Sequence, residues 1–118
     1  MKTILIVEDD ATMRKTMRVM LEKINFSVLE ASNGLEAEEV YKKDLPSLVF
    51  MDIVLPGKHG IDAIKGIIEF DDDARIIAYS GLHQESLVMA SLDAGARDFI
   101  AKPFELEEVI ATIDKHIK

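Results

Sequence analysis

Two hydrophobic periodicities alternate along this chain. Short apolar runs at "TILIV" (3–7), "FSVLEA" (26–31), "LVFMD" (48–52), "RIIAYS" (75–80) and "DFIAK" (98–102) have the length and the branched or aromatic content of buried strands. Between them the apolar positions fall at spacings of three and four. Met13, Met17, Met20, Leu21 and Ile24 form one stripe, and Leu106, Val109, Ile110, Ile113 and Ile117 another, each predicting a helix with one face on a core. Asn33 reads as the cap of a helix over "GLEAEEVYKK", while Gly60 and Gly95 mark a helix start and a helix end. No repeat, linker or low-complexity tract interrupts the pattern, so residues 1–118 read as a single domain. Five strands, each followed by a helix, predict an α/β fold: a five-stranded parallel sheet, doubly wound, with helices on both faces.

The third run poses a chemical question. In "LVFMDIVLP" one carboxylate, Asp52, sits among apolar residues, and an ionised carboxylate without a partner is costly there. Either Asp52 lies at the exposed end of its strand, or it has a cation beside it. Doubly wound sheets bind ligands beyond the carboxyl ends of their strands, and Asp52 stands at such an end, just before the loop "LPGKHG". The first run closes in Glu8, Asp9 and Asp10. If the first and third strands are neighbours, these acids converge on Asp52. Crowded carboxylates raise one another's pKa or recruit a cation, and an all-oxygen set suits a hard ion, Mg²⁺ or Mn²⁺. Taken alone, Glu8 to Asp10 also fit a solvated loop entering a helix, where the dipole favours acids.

The other strand ends extend the set. The fourth run closes in "YSG", with the hydroxyl of Ser80 and the backbone N–H of Gly81, and the fifth in "KPF", with the ammonium of Lys102. Singly, Ser80 is an ordinary turn residue and Lys102 an ordinary surface charge. Together they are the donors that stabilise phosphoryl oxygens. With the acids opposite, they make Asp52 a nucleophile toward phosphorus.

Composition narrows the partners. With 22 acidic and 14 basic residues the formal charge is −8, which argues against direct nucleic-acid binding and against anionic lipid surfaces. Cysteine is absent, so there is neither a disulfide framework nor thiolate chemistry, as suits a reducing compartment. The start, "MKTILIVEDD", is neither a signal peptide nor a membrane span, and a cytoplasmic protein is expected.

The segments "ILIVEDD", "FMDIVLPGKHG", "IIAYSG", "AGARDFIAKPF" and the closing amphipathic helix resemble, over essentially the whole chain, the receiver domain of two-component response regulators. The likeness is greatest to stand-alone receivers of the chemotaxis type. It implies a flavodoxin-like sheet of order 2-1-3-4-5 and phosphorylation of Asp52 by a histidine kinase, a phosphotransfer protein or a small phosphodonor. It further implies a metal site of Glu8, Asp9, Asp52 and the backbone carbonyl of Val54, with Ser80 and Lys102 on the phosphoryl group. Ser80 and Phe99 would be the switch pair, and the Lys102–Pro103 bond would be cis. A protein target downstream is implied but not identified. The chain departs from the family at Lys58 and His59, where a methionine-like and an acidic residue are common. Phe99 lacks the hydroxyl of a tyrosine, so a switch there acts through packing, and a plain core phenylalanine is the alternative.

Two rivals come from other classes. "EDDAT" places Glu8, Asp10 and Thr12 at the spacing of the nucleophile motif of haloacid-dehalogenase-type phosphatases, although a glutamate misplaces that nucleophile. A flavodoxin-type mononucleotide binder shares the fold class, but three acids where its phosphate loop belongs would repel phosphate. The receiver reading makes the chain a signalling switch rather than a turnover enzyme, with slow autodephosphorylation at most. The residues that hold water near the phosphorus in the family correspond here to Val54 and Leu82, both apolar, which predicts a long-lived phosphoryl group. Arg14, Lys15 and Arg18 on the first helix predict a basic kinase-docking face.

Overall fold

The computed structural model describes residues 2–55, 59–81 and 84–117. All five apolar runs form strands: β1 (Thr3–Val7), β2 (Ser27–Ala31), β3 (Leu48–Asp52), β4 (Ile76–Ser80) and β5 (Asp98–Ala101). They alternate with α1 (Ala11–Lys23), α2 (Gly34–Asp44), α3 (Gly60–Phe70), α4 (Glu85–Ala94) and α5 (Leu106–Ile117). The sheet is wholly parallel in the order β2-β1-β3-β4-β5, so β1 and β3 are neighbours as the convergence of their acids requires.

The two-residue pleat sorts the strands' side chains into two cores. Leu5, Val7, Val49, Met51, Ile76 and Ala78 pack with Ala37 and Tyr41 of α2 and Ala63, Ile64 and Ile67 of α3. Ile4, Ile6, Leu48, Phe50, Ile77 and Tyr79 pack with Met17 and Leu21 of α1 and Val109, Ile113 and Ile117 of α5. Strands buried on both faces read as continuous apolar runs, the sign that identified them. The α5 stripe is buried only from Val109 onward, since Leu106 opens the helix and stays exposed.

Local chemistry sets the helix boundaries near the strand ends. Asp10 caps α1 by accepting from the Thr12 N–H at 3.0 Å, and Asn33 caps α2 by accepting from the Glu36 N–H at 2.9 Å. Gly95 ends α4 with φ 125°, in the region that favours glycine. Gly60 begins α3 hard against β3: a Cβ there would lie 2.4 Å from the Asp52 carbonyl oxygen. The close approach fixes α3 against the strand end that carries Asp52. Among the described residues no helix is long and apolar enough to cross a membrane.

Candidate functional site

The carboxyl ends of β1, β3, β4 and β5 open onto one cavity, lined by Glu8, Asp9, Asp10, Met13, Asp52, Val54, Ser80, Gly81 and Lys102. The question posed by Asp52 resolves in favour of the cation: it sits at its strand end, but that end is buried and Lys102 stands beside it. It is only 4% exposed, with the Lys102 ammonium 3.1 Å from its Oδ2. Its Oδ1 accepts from the Val54 N–H at 3.0 Å. The same ammonium reaches Glu8 Oε1 at 2.9 Å, so one lysine bridges two buried carboxylates. Backbone hydrogen bonds continue past the strand ends, from Glu8 N–H to the Ala31 carbonyl (3.0 Å) and from Lys102 N–H to the Ser80 carbonyl (2.9 Å). Both side chains are thereby pinned where the sheet stops. The Lys102–Pro103 peptide is cis, as the resemblance implied.

The two bridged acids differ in proton affinity. For Asp52, burial is the largest influence and raises its pKa to about 6, because the Val54 N–H and Lys102 offset it only partly while Glu8 adds repulsion. Burial also pushes Glu8 upward, but the Lys102 hydrogen bond, the Asp10 N–H and the charge of Lys102 outweigh it and hold Glu8 below the ordinary carboxylate range. Burial pulls Lys102 down, whereas its two carboxylate partners prevail and raise it. Lys102 is therefore a fixed cation, and Asp52 is the group with charge in reserve.

Oxygens of Glu8, Asp9 and Asp52 lie within 4.8 Å of one another. Three carboxylates at that spacing, two buried and Asp9 exposed, fit a hard divalent cation that keeps some of its waters. Val54 lines the same cavity. Asp10 separates from this trio, because its carboxylate is the α1 cap. The solvated-helix-start reading thus holds for Asp10, and the phosphatase spacing loses its second acid to capping.

Ser80 ends β4 almost fully buried and, with Gly81, lines the cavity. Phe99 lies in β5 opposite Ala78, half-buried against the α2–α3 side of the core. Leu82 and Lys58 lie outside the described residues. His59 caps α3, its Nδ1 accepting from the Ile61 N–H at 3.3 Å.

One residue of the site was not singled out from sequence. Tyr79 is fully buried, and its hydroxyl stands 3.1 Å from both Glu8 Oε1 and the Val7 carbonyl. Lys102 Nζ lies 4.8 Å from the centroid of its ring. Burial, followed by the charges of Glu8 and Asp52, lifts its pKa well above the usual tyrosine value, so the hydroxyl keeps its proton. The available signal was that a buried tyrosine hydroxyl needs a partner. Arg14, read from sequence only as part of a basic face, also reaches the site, donating from Nη1 to the Glu8 carbonyl at 2.9 Å. The basic face of α1 is correspondingly less free than its composition implied. Arg14 pairs with Glu30 of β2 at 3.0 Å, and Arg18 pairs with both Glu30 and Glu22.

Residues 4–114 match the model of the response regulator receiver domain. The chain is 44% identical to the chemotaxis protein CheY of Thermotoga maritima, over 97% of this chain and 96% of that protein. It is 47% identical to the chemotaxis protein CheY of Bacillus subtilis, over 95% and 94%. A solved structure of the CheX–CheY–BeF3–Mg²⁺ complex from Borrelia burgdorferi contains a chain that superimposes with a TM-score of 0.92 at 32% identity, covering 99% of this chain and 90% of that one. An Asp52–Lys102–Glu8 bridge at the switch edge of a 2-1-3-4-5 sheet and these full-length likenesses lead to one assignment: the chain belongs to the family of response regulator receiver domains.

Proposed function

We propose that this chain is a phosphorylation-activated switch that takes a phosphoryl group onto Asp52 and signals by protein contact. The observation that carries the reading is the single ammonium of Lys102 bridging Asp52 and Glu8 beside Asp9. That arrangement holds a nucleophile ready while a ready-made cation stands where phosphoryl charge will arrive.

An Asp52 oxygen attacks phosphorus in a phosphohistidine of a kinase or phosphotransfer protein, or in a small acyl phosphate. The bond from phosphorus to the donor breaks, its electron pair leaves with the donor, and an aspartyl phosphate remains. Lys102 turns from the carboxylate to a phosphoryl oxygen, and the Ser80 hydroxyl and Gly81 N–H donate to others. Glu8, Asp9, Asp52 and the Val54 carbonyl would hold Mg²⁺ or Mn²⁺, which supplies charge neutralisation at the phosphoryl oxygens. As Ser80 moves toward the phosphate, space opens behind it for Phe99, shifting a population of conformers at the β4–β5 edge. The CheX–CheY–BeF3–Mg²⁺ complex of the Borrelia relative supports a reading in which the output is a protein partner. Val54 is 46% exposed at the cavity and, with Leu82, offers no group to orient a water, which favours a long-lived adduct and removal by back-transfer or a separate phosphatase.

The test is intact mass after incubation with an acyl phosphate and Mg²⁺. The native chain is expected to gain one phosphoryl group that chelator abolishes and Asp52→Asn lacks. An equal adduct on Asp52→Asn, or steady turnover of an aryl phosphate, overturns the reading.

A further inference from the structure

Glu8 is 1% exposed, so a carboxylate that is to serve a cation must be held in place by protein donors. Three groups hold it. Lys102 and the Tyr79 hydroxyl are on Oε1, at 2.9 and 3.1 Å, and the Asp10 N–H is on Oε2 at 3.2 Å. Of these, Lys102 is shared with Asp52 and is the group that must leave for an incoming phosphoryl oxygen. Tyr79 is then the remaining side-chain donor to Oε1 among these three.

The tyrosine itself cannot shift. It is 0% exposed, the Phe104 ring meets it edge-on at 5.9 Å and 88°, and β4 is paired on both sides. Its single proton has two acceptors at equal distance, Glu8 Oε1 and the Val7 carbonyl. The hydroxyl therefore stays within hydrogen-bond reach of Oε1 with the ring fixed in place, so Glu8 keeps a side-chain donor when Lys102 turns away.

We propose that Tyr79 is a positioning residue, whose hydroxyl holds the Glu8 carboxylate in the orientation that lets Glu8, Asp9 and Asp52 grip a divalent cation. The inference rests on the metal reading of the site. Losing outer donors of this kind typically weakens metal affinity about tenfold or more, and a residue that acts only through Glu8's hold on the cation leaves the chemistry at saturating metal unchanged.

The experiment compares native protein, Tyr79→Phe, Glu8→Gln and the double variant, reading Mg²⁺ affinity from the rise in melting temperature along a Mg²⁺ titration. Phenylalanine keeps the ring beneath Lys102 and against Phe104, so the fold is retained. Tyr79→Phe is expected to weaken apparent Mg²⁺ affinity about tenfold. Labelling by an acyl phosphate should return to the native rate once Mg²⁺ saturates. In the Glu8→Gln background the same change should add no further loss, because Tyr79 acts through Glu8. Unchanged affinity, a labelling defect that persists at saturating Mg²⁺, an equal further loss in the Glu8→Gln background, or an unfolded Tyr79→Phe each overturns the proposal. A native chain whose melting temperature ignores Mg²⁺ overturns the metal reading beneath it, a result distinct from all of these.

Discussion

Replacing Asp52 should make the cation-free protein more stable. Asp52 is almost completely buried, and its pKa rises from 3.8 to about 6 in the fold, chiefly through burial, with the Val54 N–H and Lys102 opposing and Glu8 reinforcing. A rise of about 2 pH units at about 1.4 kcal/mol each corresponds to about 3 kcal/mol carried against folding once the side chain is ionised in both states. The amide introduced by Asp52→Asn cannot ionise, so the variant escapes that cost. Its one oxygen must serve either the Val54 N–H or Lys102, and the lost hydrogen bond returns about 1 kcal/mol. The net expectation is a gain of about 1–2 kcal/mol, or about 4–8 °C in melting temperature for a domain of this size.

The sign has a pH signature. A carboxylate with a raised folded pKa favours folding below its unfolded value, and that advantage is lost as pH climbs through the folded value. The native chain therefore falls behind Asp52→Asn as pH rises from about 4 to about 6, and the gap is constant above. Melts in chelator at pH 4.5, 6 and 7.5 (on the order of 1.5 units either side of the folded value) should show the gap widening and then levelling. An Asp52→Asn protein that melts at or below the native temperature at the highest pH, or by a margin independent of pH, refutes the reasoning.

Three further outcomes follow from the same contacts. Lys102→Met strips the cation from two buried carboxylates and should cost about 3–5 kcal/mol near neutral pH, with the deficit shrinking toward pH 5.5 as the acids protonate; urea midpoints at the two pH values read it, and a pH-independent loss contradicts it. Gly60→Ala drives a Cβ to within 2.4 Å of the Asp52 carbonyl and should cost about 1–3 kcal/mol while slowing phosphoryl uptake, whereas native stability would mean that α3 does not bear on the end of β3. Val54→Asn with Leu82→Glu should shorten the life of the phosphoryl adduct, followed by intact mass after donor removal, and a decay no faster than native would detach lifetime from these positions.

The central strands were legible because they are buried on both faces and so spell nearly unbroken apolar runs, Leu48–Asp52 and Ile76–Ser80 above all, while the edge strands β2 and β5 are only partly buried and carry polar residues. The site was legible for a related reason. Chemistry that ends such a run, as Asp52, Ser80 and Lys102 do, must face the same edge of a parallel sheet. Tyr79 was hidden because, one residue before Ser80, it reads as core, and its hydroxyl's partners lie 71 and 72 positions away in β1 and just beyond it. The neutralised face of α1 was hidden likewise. Arg14 and Arg18 count as free charge in sequence, but the parallel pairing of β1 with β2 brings Glu30 opposite Ile6 and within reach of both. Residues that act within one strand end could be read, while those that act across elements required the fold.

Which side chain carries the phosphoryl group decides whether the chain is the switch proposed. Native protein labelled with an acyl phosphate in Mg²⁺, reduced with borohydride and digested, shows by fragment mass where the acyl phosphate stood. Reduction at Asp52 alone, with Glu8, Asp9 and Asp10 intact, is the predicted result; reduction at Glu8 or Asp10, or at several acids indiscriminately, would contradict it.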